Sequence, residues 1–180
     1  RQSTTTRLVT IGRKGRDFMI RTGQDVQAAF TNLGDRPSIA DIRPAASIIM
    51  DDYSLARVDA VYLAYSNFVN TTVQEPTIKP ILPVIPTEIG YQGTVGYLYE
   101  PSSETVLSEL LPRFVELEMY HAVLESLASE QSARMVAMRN ATDNADEMVV
   151  DLTLEMNKAR QETITKELLD IVGGAAAVGA

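Results

Sequence analysis

The side chains that most often carry covalent chemistry are scarce in this chain of 180 residues, which has no cysteine, no tryptophan and a single histidine, His121. Without Cys there can be no disulfide, thiol nucleophile, thiolate–zinc site or thiol redox switch. One imidazole leaves almost no room for a catalytic triad or a His-metal cluster, and His121 itself reads as a packed or interface residue. The carboxylate pairs Asp51–Asp52 and Asp146–Glu147 are adjacent in sequence, so on a helix they diverge instead of converging on a substrate, and they are expected to be solvated. "TIGRKGRDF" sets Gly12 and Gly15 around Arg13 and Lys14 at a strand-to-helix turn. Backbone amides there could cradle a phosphate. The spacing fits neither the P-loop nor the dinucleotide fingerprint, however, and an ordinary tight turn accounts for it. "NKARQ" presents Lys158, Arg160 and Gln161. On a helix this is a solvated face by default, or an Arg–Gln clasp for carboxylates on a partner. No catalytic residue, metal ligand or cofactor site is expected.

Two halves of different character must position these groups. Residues 1–101 hold seven of the eight prolines, and residues 102–180 read as helix almost throughout. In the first half, "TTTRLVTIG" reads as a strand, "KGRDFMIRTG" as a short helix closed by Gly23, and the run after Ser38 as an N-capped helix reaching Ala56. Pro44 is placed where that helix could bend or restart. "VDAVYLAYSNFVN" reads as a strand and the proline-bearing "TIKPILPVIP" as an edge strand. Alternating strands and helices imply a partly parallel sheet, but two or three strands are few for an open one, and the domain is expected to be truncated at its front. "YLYE", Tyr97 to Glu100, is either a strand packing on the body or a docking edge.

The second half starts a helix at Ser102 or Ser103, with Pro112 expected to kink it or to open a second helix. A heptad register runs through Leu107, Leu111, Phe114, Leu117, His121, Leu124, Ala128, Gln131, Met135, Met138, Thr142, Ala145, Val149, Leu152, Met156 and Ala159. Thirteen of these sixteen are apolar, which is a coiled-coil seam. "RNATDNADE" is poor in helix formers and offers a break at Asp143 or Asn144, although the stripe stays in phase across it. A helix over Pro112–Val172 would be roughly 90 Å long at ~1.5 Å per residue. A compact domain of this size has a radius of gyration of only about 16 Å. The expectation is a small α/β body carrying a rod whose partner helix comes from elsewhere.

A hydrophobic fraction of 45% excludes a disordered chain, and a net charge of −8 argues against nucleic acid as main partner. No apolar run reaches the ~18 residues of a membrane span, and no signal peptide is read, so a cytoplasmic chain is expected. That the chain opens on Arg1 leads to the expectation of further sequence upstream.

"LASEQSARMVAMRNATDNADEM", followed by "LTLEMNKARQETITKELLDIVGGAAAV", closely resembles the C-terminal helix of the gamma subunits of F-type ATP synthases. "IGRKG", "NFVNTTVQEPTIKPILP" and "YLYEP" resemble that family's central domain, and the resemblance covers essentially the whole chain in order. The family's N-terminal third is missing from it. The resemblance implies a partial Rossmann-like α/β foot domain over 1–101, then one long helix over 102–180 forming half of an antiparallel coiled coil. It implies a non-catalytic central-stalk rotor without a cofactor, turning inside a ring of alpha and beta subunits. The expected partners are those subunits, epsilon, the c-ring and the subunit's own N-terminal helix, at the cytoplasmic face of the bacterial plasma membrane. By the same resemblance Arg160 and Gln161 would clasp a beta-subunit loop. Tyr97, Tyr99 and Glu100 would face the c-ring and epsilon. Ile171, Val172, Ala175, Ala176, Ala177 and Val178 would form an apolar bearing tip whose lack of charge avoids rotational traps. A static coiled-coil scaffold and a nucleotide-binding α/β enzyme remain as alternatives.

Overall fold

A computed structural model describes residues 5–85, 100 and 102–178. The order of elements is β1 (Leu8–Ile11), α1 (Arg13–Arg21), β2 (Val26–Phe30), α2 (Ile39–Ser54), β3 (Val61–Phe68), β4 (Gln74–Leu82) and α3 (Ser103–Val178). The chain divides into two compact units, Arg1–Gln131 and Ser132–Ala180.

In the first unit β1 and β2 pair in parallel across the α1 crossover, as the alternating pattern predicts. Gly12 ends β1 at φ 107 and Gly23 follows α1 at φ 72, left-handed values that a Cβ disfavours. The strand β2 is an addition to the expectation. With β3 and β4, which pair antiparallel, the described residues hold four strands in two two-stranded sheets.

The helix α2 starts where Ser38 predicts. The Ser38 backbone N–H and hydroxyl both donate to the Asp41 carboxylate at 2.8 Å, holding that carboxyl below its usual range. The helix runs through Pro44 without restarting. It ends on an unusual residue for a helix terminus: Ala56 takes φ 50, while its N–H and that of Arg57 donate to Tyr53 O and Asp52 O at 3.0 and 2.9 Å.

The prolines of β4 follow a rule of register. Ser66 lies opposite Pro76 and Tyr62 opposite Pro80, two positions of the same parity. At Ser66 the backbone N–H and C=O point away from β4, toward α3. Alternate pairs of an antiparallel ladder exchange no hydrogen bonds, so Pro76 and Pro80 withhold N–H groups that β3 never needed.

The core of this unit joins α2, β4 and α3 through Ile42, Ala45, Ala46, Ile81, Leu82, Val115 and Met119. Helix α3 is capped by Ser102, whose Oγ accepts from the Thr105 N–H at 3.2 Å. It continues through Pro112, so the expected kink or restart does not divide it. Its positions 115, 119, 122 and 129 are buried, a spacing of three and four that makes one helical face.

In the second unit α3 is unbroken across Asn140–Asp146, where low propensity offered a stop. Threonine side chains fold back on the helix there: Thr142 Oγ1 donates to Met138 O at 3.0 Å, and Thr153, Thr163 and Thr165 do likewise four residues back.

Candidate functional site

The predicted seam and the buried face of α3 are different stripes. Met119 is 2% exposed and faces the core, whereas Leu117 is 45% exposed. At about 100° per residue, Leu117 lies about 200° around the helix from Val115. Leu107, Leu111, Phe114 and Leu124 are exposed with it, and His121 sits exposed on the same stripe. In the first unit α3 thus carries apolar residues on two nearly opposite faces, of which one is covered. In the second unit Met135, Met138, Val149, Leu152 and Met156, all positions of the heptad register, are each more than half exposed. A one-stripe template missed the body-facing set, although steps of three and four from Val115 through Met119 and Ala122 to Ser126 and Ser129 were there to be found.

Polar groups flank the covered face. Lys79 Nζ meets Glu118 Oε2 at 2.6 Å, and this bond holds the ammonium pKa above its usual value. Arg43 Nε meets Glu116 Oε1 at 3.4 Å. The Tyr120 hydroxyl donates to Pro37 O at 3.3 Å. The outer edge of β3 is satisfied by α3 side chains: Ser66 N–H donates to Ser126 Oγ at 3.3 Å, Ser129 Oγ donates to Ser66 O at 3.2 Å, and Phe68 N–H donates to Glu125 Oε2 at 3.4 Å.

Arg160 and Gln161 are both exposed on α3. Among the described residues Arg160 has no ion-pair partner. Spacing explains this, because its neighbours three and four residues away are Met156, Asn157, Thr163 and Ile164, none of them acidic. Gln161 lines a shallow hollow with Lys158, Glu162, Thr165, Lys166 and Leu169, a surface of mixed donors and acceptors. Ile171 and Val172 are 68% and 65% exposed, and Ala175 is exposed too. The side chains of Ala176, Ala177 and Val178 lie outside the described residues, as do Tyr97 and Tyr99, while Glu100 is exposed at a bend.

Of the other candidates, Asp52 departs from expectation. Asp52 is not solvated: it is 5% exposed and held by Arg7 at 3.8 Å and Arg57 at 3.1 Å. A hydrogen bond from Gln27 and then one from Arg57 lower its pKa. Asp51 faces solvent, so the adjacent pair diverges as expected. The Gly12 amide, which a phosphate loop would need, already donates to Phe30 O at 2.7 Å. Among the described residues no group of three metal-ligating side chains occurs, and no helix is long and apolar enough to cross a membrane.

Comparison with known proteins gives this geometry a family. A family model described as ATP synthase matches residues 1–178. The ATP synthase gamma chain of Dehalococcoides mccartyi is 59% identical over 170 residues, covering 94% of this chain and 60% of the relative. That of Roseiflexus sp. is 55% identical, covering 97% and 60%. The chain therefore spans about 60% of the length of the curated relatives it matches. Among solved structures, the Tetrahymena thermophila mitochondrial ATP synthase central stalk and c-ring gives a TM-score of 0.56 at 26% identity, covering 75% of this chain and 60% of that one. A chain of the Euglena gracilis mitochondrial ATP synthase gives 0.62 over 98% of this chain and 63% of that one; at 20% identity it speaks for the fold alone. The family model runs through the α/β elements and the long helix alike, and the chain belongs to the ATP synthase family.

Proposed function

We propose that the chain is the non-catalytic central-stalk rotor of a proton-translocating F-type ATP synthase. In this reading residues 1–101 are the foot and residues 102–180 the shaft. The foot meets the c-ring and epsilon, with Glu100 and the two tyrosines before it at the contact. The shaft stands among alpha and beta subunits and passes torque between proton flow and ATP synthesis or hydrolysis. The complex places the chain at the cytoplasmic face of a bacterial plasma membrane, peripheral to it.

The observation that carries the reading is the open apolar stripe of α3, lying opposite a face already used by the body. A helix with one covered and one open stripe suits a shaft wound against a second helix, and the subunit's own N-terminal helix is the proposed occupant. Arg160 supports the same reading, since a guanidinium without a partner on its own helix is available to a carboxylate on a beta subunit. The uncharged end of α3 is the proposed bearing, where weak dispersion contacts are similar at every angle. Replacing Arg160 and Gln161 by Ala in the reconstituted enzyme should lower ATP-driven rotation torque at least twofold. Unchanged torque and coupling would remove the clasp from the mechanism.

A further inference from the structure

A rotor has to keep its shaft from turning within its foot, and the first unit shows how α3 is held there. The buried stripe of Val115, Met119 and Ala122 is apolar, and apolar burial is non-directional, so by itself it resists axial slip poorly. Directional bonds stand on both sides of that stripe. Glu116 and Glu118 lie about 200° apart around the helix, and each is engaged from a different element: Glu116 by Arg43 of α2, Glu118 by Lys79 of β4. A second bond reinforces each side, Tyr120 to Pro37 O beside Glu116 and Phe68 N–H to Glu125 beside Glu118. Between the two flanks, Ser126 and Ser129 engage the N–H and C=O of Ser66 on the edge of β3. Turning α3 one way pulls on one flank, and turning it the other way pulls on the other. Hydrogen bonds weaken steeply once misaligned, so these contacts oppose such turning.

From this arrangement we infer that residues Glu116 to Ser129 of α3 form a key that fixes the shaft in the foot against rotation about its own axis in both senses. The inference rests on the rotor reading and names the residues through which torque would cross from foot to shaft. Exposed ion pairs of this kind add little to stability. Their bilateral placement is what suits them to the task, and they act as positioning residues.

The test uses the full subunit in the assembled enzyme, immobilised by its head, with a magnetic bead on the foot at Thr72→Cys in a chain that has no other cysteine. Twist compliance is read in both directions. Glu118→Gln with Glu125→Gln should raise compliance at least twofold in one sense only, and Glu116→Gln with Tyr120→Phe in the opposite sense only. The exchange Lys79→Glu with Glu118→Lys should restore the stiffness lost in Glu118→Lys alone. Raised salt, which screens exposed pairs, should soften the unmutated enzyme in both senses, a readout that needs no variant to fold. Equal softening in both senses by each variant, no change in any, or no effect of salt would overturn the key, because a stabilising role alone has no handedness. If the foot bead of the unmutated enzyme does not turn during ATP hydrolysis, the rotor reading itself fails; if it turns and the variants twist like the parent, only the key fails.

Discussion

Truncating Met119 and Leu117 to Ala separates the two stripes of α3 by a measurable free energy. Met119 is 2% exposed against the core of α2 and β4, and Leu117, two residues earlier, is 45% exposed on the open stripe. Large-to-small changes at fully buried sites lose transfer energy and leave a cavity, together about 2–5 kcal/mol for Met→Ala. Burying a leucine side chain completely is worth about 1.5–3 kcal/mol, so the roughly half-hidden Leu117 forfeits about 1 kcal/mol, with little cavity because solvent already reaches it. In a unit of this size 1 kcal/mol moves the melting temperature by roughly 3–4 °C. Met119→Ala should therefore melt about 6–20 °C below the parent and Leu117→Ala about 3–4 °C below it, by circular dichroism of the chain on its own. In the assembled enzyme, where a second helix is proposed to cover the open stripe, the Leu117 variant should lose far more. Equal losses in the isolated chain would refute the two-stripe description, and a Leu117 loss that stays small after assembly would leave the open stripe without its proposed occupant.

Two further outcomes follow from local geometry. Ala56 takes φ 50 with a Cβ that this region penalises; Ala56→Gly should raise the urea midpoint by an amount corresponding to about 0.5–1 kcal/mol, and a lower midpoint would mean that the terminus of α2 is not left-handed in solution. Asp52, whose folded pKa is lowered by Gln27 and Arg57, contributes stability that is present above its unfolded value near 3.8 and lost as pH falls through the lower folded value. Asp52→Asn should flatten the acid limb of a stability profile measured from about pH 5 to about pH 2.5, only in part because Asp41 is also lowered, and an unchanged limb would contradict the buried cluster.

What the sequence disclosed depended on how local each signal was. Ser38 at the head of an amphipathic run, and Gly12 and Gly23 around α1, are short-range signals, and the elements they delimit appear where they point. The strand β2, "VQAAF", has two alanines in five residues, so its propensity is weak, and its place comes from pairing with β1. Propensity also pointed the wrong way at "RNATDNADE", where α3 continues. Asp52 looked solvated because its partners are far away in sequence: Arg7 precedes β1 and Gln27 lies in β2. The spacing of Ser126 and Ser129 could place them on the body-facing side of α3, but not against Ser66, which is 63 positions from Ser129. Arg160 and Gln161 could be named from resemblance, and the helix that carries them explains why Arg160 is left unpaired.

The hydroxyl of Thr142 has a bearing on the heptad register itself. It spends its donor on Met138 O at 3.0 Å, within its own helix. What such a side chain offers a neighbouring helix is chiefly its methyl group, so in shape and wetting the residue is close to valine. The polar interruptions of the register then reduce to His121 and Gln131, ten residues apart. From Met135 to Ala159 the stripe is apolar in effect, as a continuous strip of helix-facing surface.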